Sequence, residues 1–385
     1  MKKAAIISPF FYPELIGSAP YNFDLATKLM KENINVEVYC SHPLYPKWKP
    51  KKGRTELNGI KLYRGGLWLR YPKNNILRRL ILELWFFLFI FKNLSRIKKN
   101  NLVFIIFPPS LLALAFFFLR NDTKIIGIVH DLQSIHLGSN NFLKKFIGKF
   151  IKYFEKIAFG LCESLIFLSA EMRNEASSVY KVANDKCKVV YPSITIKEFN
   201  NLNNLSDVFD ESMFNIVYSG ALGQKQNPDS IFNAAESLIK TNSKIKFYFF
   251  SSGKEFDRLK RKNSFENIIF QDLVKKEDLP ELLLRSDLQI ISQIEGSSKG
   301  SLPSKLPNIL ASGAPVLSIT DEESELQKIL QDQEGCFVLN EWDIQKISEV
   351  IDSLSIKENQ RYDRTNKLDE FMPDYIMQSI RKMIS

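Results

Sequence analysis

GSLPSKLPNILASGAPV, Gly300–Val316, reads as an anion-binding helix start. Leu306, Ile309 and Leu310 recur at i, i+3 and i+4, the spacing of a buried helix face. Ser304 is placed to cap that helix, and Lys305 falls in its first turn. Pro307 is tolerated there because first-turn amides have no helical partner. Gly313 and Pro315 stop the helix. Lys305, Asn308 and Ser312 share another face. Free amides, the positive end of the helix dipole and a lysine together make a phosphate seat. A buried helix with a solvated lysine would show the same pattern, so the rest of the chain has to decide.

Working outward, short apolar runs alternate with helical patterns. In the second half, Phe214–Ser219, Ile245–Phe250, Ile268–Gln271, Leu288–Ser292, Pro315–Ile319 and Gly335–Leu339 read as strands. The first half repeats the rhythm with Ala4–Ile7, Asn35–Cys40, Val103–Phe107, Lys124–Val129, Ser164–Ser169 and Lys188–Tyr191. Strand–helix–strand alternation predicts parallel, doubly wound sheets. Ile194–Asp210 is rich in Asn and Ser, lacks periodicity and reads as a linker. The expectation is an α/β protein of two doubly wound domains facing across a cleft. Residues 1–195 form the first and 196–365 the second, and residues 366–385 form a helix crossing back to the first.

Composition narrows the partners. The chain has 385 residues, 45% of them hydrophobic, and a net charge of +10. Residues 1–199 carry 31 Lys/Arg against 14 Asp/Glu, and residues 200–385 carry 22 against 29. That split, +17 against −7, suggests two modules with different partners. A basic half suits an anionic membrane or a phosphorylated lipid. No zinc-finger or RNA-binding signature occurs, so no nucleic acid is expected. Four scattered Cys and three His argue against a disulfide framework or metal site, and for a reducing compartment. The start, MKKAAIISPFFYPE, fits a first strand better than a signal peptide.

Several residues stand where ligands bind in such sheets. Gly17 and Ser18 lie between the first strand and the first helix, where glycine lets backbone approach a phosphate, although a plain turn reads equally well. No G-x-G-x-x-G occurs, which disfavours a dehydrogenase site. His130 follows Lys124–Val129 and faces the crevice, or is merely structural. Gly220 and Gly223 make a flexible turn and Lys225 enters the next helix, a second phosphate seat. Ser41–Pro50 is a Pro- and aromatic-rich loop, suited to stacking on a sugar or lipid-linked group, or simply solvated. Lys47, Lys49, Lys51, Lys52 and Arg54 fall in or just after it.

Arg78–Lys99 is the most unusual segment by composition. Leu80–Phe91 is apolar except for Glu83, and bases flank it. It is too short to span about 30 Å of hydrocarbon. Bases beside aromatic bulk predict a helix lying in a membrane interface, with Trp85, Phe86, Phe87 and Phe89 entering it. A core helix with basic ends is the alternative.

The motifs YPELIG (Tyr12–Gly17), PLYPKW (Pro43–Trp48), HDL (His130–Leu132), YSGALGQKQ (Tyr218–Gln226) and PSKLPNILASGAPV (Pro303–Val316) resemble, in this order, retaining family-4 glycosyltransferases of the GT-B fold. The resemblance covers nearly the whole chain and is nearest to the colanic-acid-type, fucosyltransferase-like branch used in exopolysaccharide assembly. It implies two Rossmann-like domains, the first for the acceptor and the second for a nucleoside-diphosphate sugar. It also implies a lipid-linked saccharide acceptor at the inner face of the cell membrane, and no cofactor or metal. The implied catalytic residues are His130, beside the transferred sugar, and Lys225 and Lys305, on the diphosphate. Gly17 would bring backbone against that diphosphate. Ser18, Gly220 and Ser304 share these turns and count as donor-binding. Asp272 and Leu273 would border the nucleotide base. Asn308 stands where a Glu usually holds ribose hydroxyls, and Glu295 precedes it by more than the usual spacing. Tyr45 and Trp48 would contact the acceptor. Ala221 replaces an Arg found in many relatives. Ala221 and Asn308 leave a second reading open, a catalytically silent subunit bound to a partner transferase. A nucleotide-sugar epimerase or phosphorylase on the same fold is a third.

Overall fold

In the computed structural model, the described residues are 2–14, 17–44, 47–117, 123–132, 142–196, 198, 204–298, 302–355 and 360–384. The chain divides into two compact units: residues 1–190 with 377–385, and residues 191–376.

The first unit runs β1 (Lys3–Ile7), α1 (Ala19–Lys31), β2 (Asn35–Ser41), β3 (Glu56–Leu57), β4 (Ile60–Gly65), α2 (Asn75–Ile97), β5 (Leu102–Phe107), α3 (Ala113–Phe116), β6 (Lys124–Val129), α4 (Phe142–Leu161), β7 (Ser164–Phe167), α5 (Ala170–Tyr180) and β8 (Cys187–Val189). Its eight strands are ordered β3-β4-β2-β1-β5-β6-β7-β8. All neighbours are parallel except β3 and β4. β1 lies between β2 and β5, where the strand order reverses, and ligand crevices open at the carboxyl ends of strands at such a point.

The second unit continues β9 (Phe214–Ser219), α6 (Pro228–Thr241), β10 (Ile245–Phe250), α7 (Lys254–Lys262), β11 (Ile268–Gln271), α8 (Leu279–Leu284), β12 (Leu288–Ser292), α9 (Leu306–Ala311), β13 (Val316–Ile319), α10 (Glu325–Gln331), β14 (Cys336–Leu339) and α11 (Ile344–Ser355). Its six strands are all parallel, in the order β11-β10-β9-β12-β13-β14, so the reversal falls between β9 and β12. Both faces of this sheet are covered, which is why its strands read as continuous apolar runs. Along β10, Phe247 and Phe249 enter one core while Tyr248 and Phe250 enter the other.

α12 (Pro373–Ile384) closes the chain. Its end belongs to the first unit, where Arg381 pairs with Glu32 beyond α1. The 194–210 stretch is no free tether where described. Ile194 N donates to Phe371 O, Leu205 and Phe209 are buried in a core of the second unit, and Glu281 accepts from the amides of Asn204 and Leu205.

β3 and β4 are absent from the sequence reading. Their turn, Asn58-Gly59, has positive φ at both residues, the pattern of a two-residue hairpin. The opening helix is also shorter than expected. α9 begins at Leu306 with Lys305 at its N-cap position, so Ser304 is not the cap.

α2 corrects a larger expectation. Trp85 and Phe86 are 8% and 0% exposed, and Phe87 and Phe89 pack against the same core, so the four rings do not form an outward face. The exposed apolar stripe is Leu77, Leu80, Leu84, Leu88 and Phe91 instead. A helix apolar nearly all round shows no preferred face in its sequence; the sheet beneath it chooses which side is buried.

Candidate active site

In the second unit, the chain leaves β9 through Gly220, whose φ of +114° suits only glycine. Its N–H donates to Phe250 O (2.9 Å) and its carbonyl accepts from Ser251 Oγ (2.7 Å), fastening the turn to the end of β10. Lys225 stands on the short 3-10 turn Gln224–Gln226, ahead of α6 rather than in it. Its carbonyl accepts from Ile294 N (2.7 Å), joining this turn to the loop after β12. The two loops flanking the strand-order reversal are thus tied together.

Lys305 lies beneath that junction. Its Nζ donates to Ser219 O (3.1 Å) and Ile290 O (3.0 Å), one carbonyl from each of β9 and β12. It also sits 3.9 Å from the centroid of the Tyr218 ring. Burial pushes its amine down to about 7. The two carbonyls and the ring favour the ammonium and oppose that shift, and a phosphate oxygen beside it would raise the value further. Two of the three ammonium N–H groups serve the carbonyls, so Lys305 is a strut across the reversal as well as a charge beside it.

Asn308 is engaged differently from expectation. Its Oδ1 accepts from Thr195 N (2.8 Å) and Ile196 N (3.2 Å), and its Nδ2 donates to Thr195 Oγ1 (3.0 Å). The amide secures residues 195 and 196 to α9, and a ribose diol would have to share a group already so used. Glu295 is exposed in a loop held by Asp321, which accepts from Gly296 N (2.9 Å) and Ser298 N (3.3 Å). Asp272 is exposed and Leu273 half-buried, just beyond edge strand β11. Ser304 is exposed.

In the first unit, Gly17 is exposed with φ +66°, and a Cβ there would meet nothing within 4 Å. Open space above a left-handed glycine leaves the backbone approachable by a ligand. The turn is held by Asn22, a residue the sequence reading passed over. Its side chain is buried, and Nδ2 donates to Ser8 Oγ (2.9 Å), Phe10 O (3.0 Å) and Ser18 Oγ (3.2 Å). Glu14, also buried, accepts from Leu44 N (2.8 Å) and joins this turn to the loop after β2.

His130 follows β6, its N–H bonded to Phe107 O (3.0 Å) and its ring 5.8 Å from that of Tyr21 on α1. Burial pushes its pKa down to about 4, so the imidazole is neutral at physiological pH. The Arg79 guanidinium, pushed down by burial, is held up in part by the charges of Glu83, Asp131 and Glu155. Glu83 accepts from Ser110 N (3.4 Å) and Leu111 N (3.0 Å) past the end of β5, and burial raises its carboxyl to about 7. The lone acid of an apolar helix therefore holds the loop after β5. Its isolation in the Leu80–Phe91 run was the available signal.

Trp48 is half-buried. Phe10 and Tyr71 meet its ring edge-on, and the Arg78 guanidinium lies 4.1 Å from the ring centroid. Packing on those neighbours limits what it can offer to a sugar. Tyr45 lies outside the described residues.

Residues 17–198 match the Glycosyltransferase Family 4 model, and residues 206–369 match Glycosyl transferases group 1. The chain is 23% identical over 355 residues to WcaI of Escherichia coli K12, provisionally named a colanic acid biosynthesis glycosyl transferase, covering 85% of this chain and 86% of that protein. It is 24% identical over 328 residues to an uncharacterized glycosyltransferase of Methanocaldococcus jannaschii, covering 81% and 80%. Among solved structures it superposes on sucrose-phosphate synthase of Thermosynechococcus elongatus with a TM-score of 0.76 at 11% identity, over 100% of this chain and 99% of that one. Anabaena HepE in complex with UDP and glucose gives 0.64 at 12%, over 100% and 99%. With two family models matched in succession along a pair of parallel α/β units, the chain is a GT-B glycosyltransferase of family 4.

Proposed function

We infer that this transferase moves a sugar from a nucleoside-diphosphate sugar, with retention of configuration, to a saccharide carried on a polyprenyl diphosphate. The observation that carries the reading is the Gly220 turn underpinned by Lys305 at the strand-order reversal of the second sheet. Departure of a nucleoside diphosphate needs positive charge and fixed dipoles aimed where negative charge develops. Lys225, Lys305 and the backbone at Gly220, all in the second unit, supply these. No metal or resident cofactor enters the scheme. A neutral His130 can orient a donor or acceptor hydroxyl by hydrogen bonding without adding charge. Solved neighbours include complexes with UDP and with UDP-glucose, which supports a nucleotide sugar as the donor class.

The acceptor reading rests on the surface of the first unit. Among the described residues, no helix is long and apolar enough to cross a membrane. The exposed stripe on α2 and the excess of bases in residues 1–199 suit peripheral attachment to an anionic cytoplasmic leaflet. The decisive experiment is a melting-temperature screen over nucleotide sugars, followed by assay of anomeric configuration in the product. A ligand that binds only the native state must raise that temperature. If no nucleotide sugar raises it and none is hydrolysed or transferred, the reading fails and a silent subunit takes its place.

A further inference from the structure

The loop after β2 combines a fastened backbone with uncommitted charge. Lys49 N donates to Leu44 O (3.2 Å) and Lys51 N to Pro43 O (2.8 Å). Gly53 N donates to His42 Nδ1 (3.2 Å), and Arg64 Nε to Arg54 O (2.7 Å). The Glu14–Leu44 bond fixes the loop's start, and the Trp48 ring wedges its middle against Phe10 and Tyr71. Burial together with nearby Arg64 and Lys52 pushes His42 down, and its Nδ1 serves as the acceptor for Gly53 N–H.

Lys47, Lys49, Lys51, Lys52 and Arg54 nonetheless all project into solvent, and among the described residues none is ion-paired. The next acid along the chain, Glu56, stands opposite Lys61 across the β3–β4 hairpin. Five like charges on a backbone held this firmly repel one another unless an anion lies among them.

What lies beside the loop limits the class of anion. Arg78 of α2 covers the Trp48 ring, so the basic loop abuts the first turns of α2. There the exposed stripe begins with Ile76, Leu77 and Leu80. The β4–α2 connection adds Leu67 and Trp68, the latter 76% exposed, with Arg70 and Lys73 exposed nearby. A basic rim bordering an apolar surface matches an amphiphile with a phosphate head and a hydrocarbon tail.

We propose that the Lys47–Arg54 loop is a seat for the phosphate head of a lipid, with the tail directed along the α2 stripe. This deepens the acceptor reading above and rests on it for the lipid's identity. The occupant is the diphosphate head of the prenyl-linked acceptor, and occupation by an anionic phospholipid head group is the outcome that would overturn it.

The test uses the full chain and a variant carrying Gln at 47, 49, 51 and 52, both checked for equal melting temperature. Citronellyl diphosphate, with citronellol as control, is titrated by calorimetry at low and high salt. Wild type should bind the diphosphate and not the alcohol, in a salt-sensitive manner, and the variant at least about tenfold more weakly. Flotation with phosphatidylglycerol against phosphatidylcholine vesicles separates the two head groups. Weakened diphosphate binding with flotation retained assigns the seat to the acceptor. Flotation lost in the variant, with no diphosphate binding by wild type, overturns the acceptor seat in favour of a phospholipid contact. Should neither probe depend on the four lysines, the seat does not exist. Protein that binds citronellyl diphosphate through them yet transfers no sugar would break the transferase reading and leave the seat standing.

Discussion

After β9 the chain leaves its sheet through Gly220 over a lysine, and after β1 it leaves through Gly17 over an asparagine. Both turns follow the first strand of a parallel unit, both sit at a reversal of strand order, and both have a glycine at positive φ. Lys305 joins two strand ends and carries charge. Asn22 joins Ser8, Phe10 and Ser18 and carries none. A turn meant to face a leaving diphosphate gains from charge below it. A turn that only presents backbone needs rigidity, which a neutral amide supplies without the desolvation cost of an ion.

The largest expected effect tests that contrast directly. Lys305→Met and Lys225→Ala should each lower turnover at saturating donor by about 10²-fold or more. Lys305→Met should also depress the melting temperature, because two buried carbonyls lose their donor, whereas Lys225→Ala should not. Near-normal rates in both variants would remove the diphosphate from this turn. Donor affinity sharpens the same point. An amine with its pKa held near 7 in the empty site must take up a proton to meet a phosphate. Donor dissociation constants should therefore rise as pH climbs through about 7, and a flat titration would leave Lys305 a strut alone.

Asn22→Ala comes next. The buried Ser8 hydroxyl and two part-buried acceptors, Phe10 O and Ser18 Oγ, lose a donor, at a cost of about 1–3 kcal/mol for leaving such a group unsatisfied, read as a lower denaturation midpoint. Turnover should fall with it, while a nucleotide sugar that raises the wild-type melting temperature should still raise the variant's. Loss of that ligand-induced rise would show that the two turns are not separable.

The pH-dependent stability contributions of His130 and Glu83 are smaller and of opposite sign. His130→Ala should fold and lose transfer; an unchanged rate would make the residue structural. In the folded protein its pKa lies below the ordinary value, so its neutral form is favoured. The associated stability is present above about 6.5 and is lost as pH falls toward about 4. Glu83 has its folded pKa raised from 4.5 to about 7. Its contribution is present below about 4.5 and is lost as pH rises through about 7. Thermal melts across this range should show His130→Gln flattening the acid limb and Glu83→Gln flattening the neutral limb.

Most strands and the alternating rhythm of the two sheets were legible in the sequence, because strand and helix signals are local. Continuous apolar runs gave Phe214–Ser219, Ile245–Phe250 and Lys124–Val129 with the same limits in sequence and structure. The turns at Gly17 and Gly220 were legible for the same reason, since glycine is the residue that enters positive φ without steric cost. Asn58-Gly59 was legible too and was passed over. Tertiary structure alone decided what each polar side chain holds. Lys305 reaches carbonyls 86 and 15 residues away, and Asn308 reaches an amide 113 residues away. It alone also decided which side of α2 meets the core. Hydrogen-bond partners and buried faces depend on which distant strands come to lie side by side, and no local pattern encodes that choice.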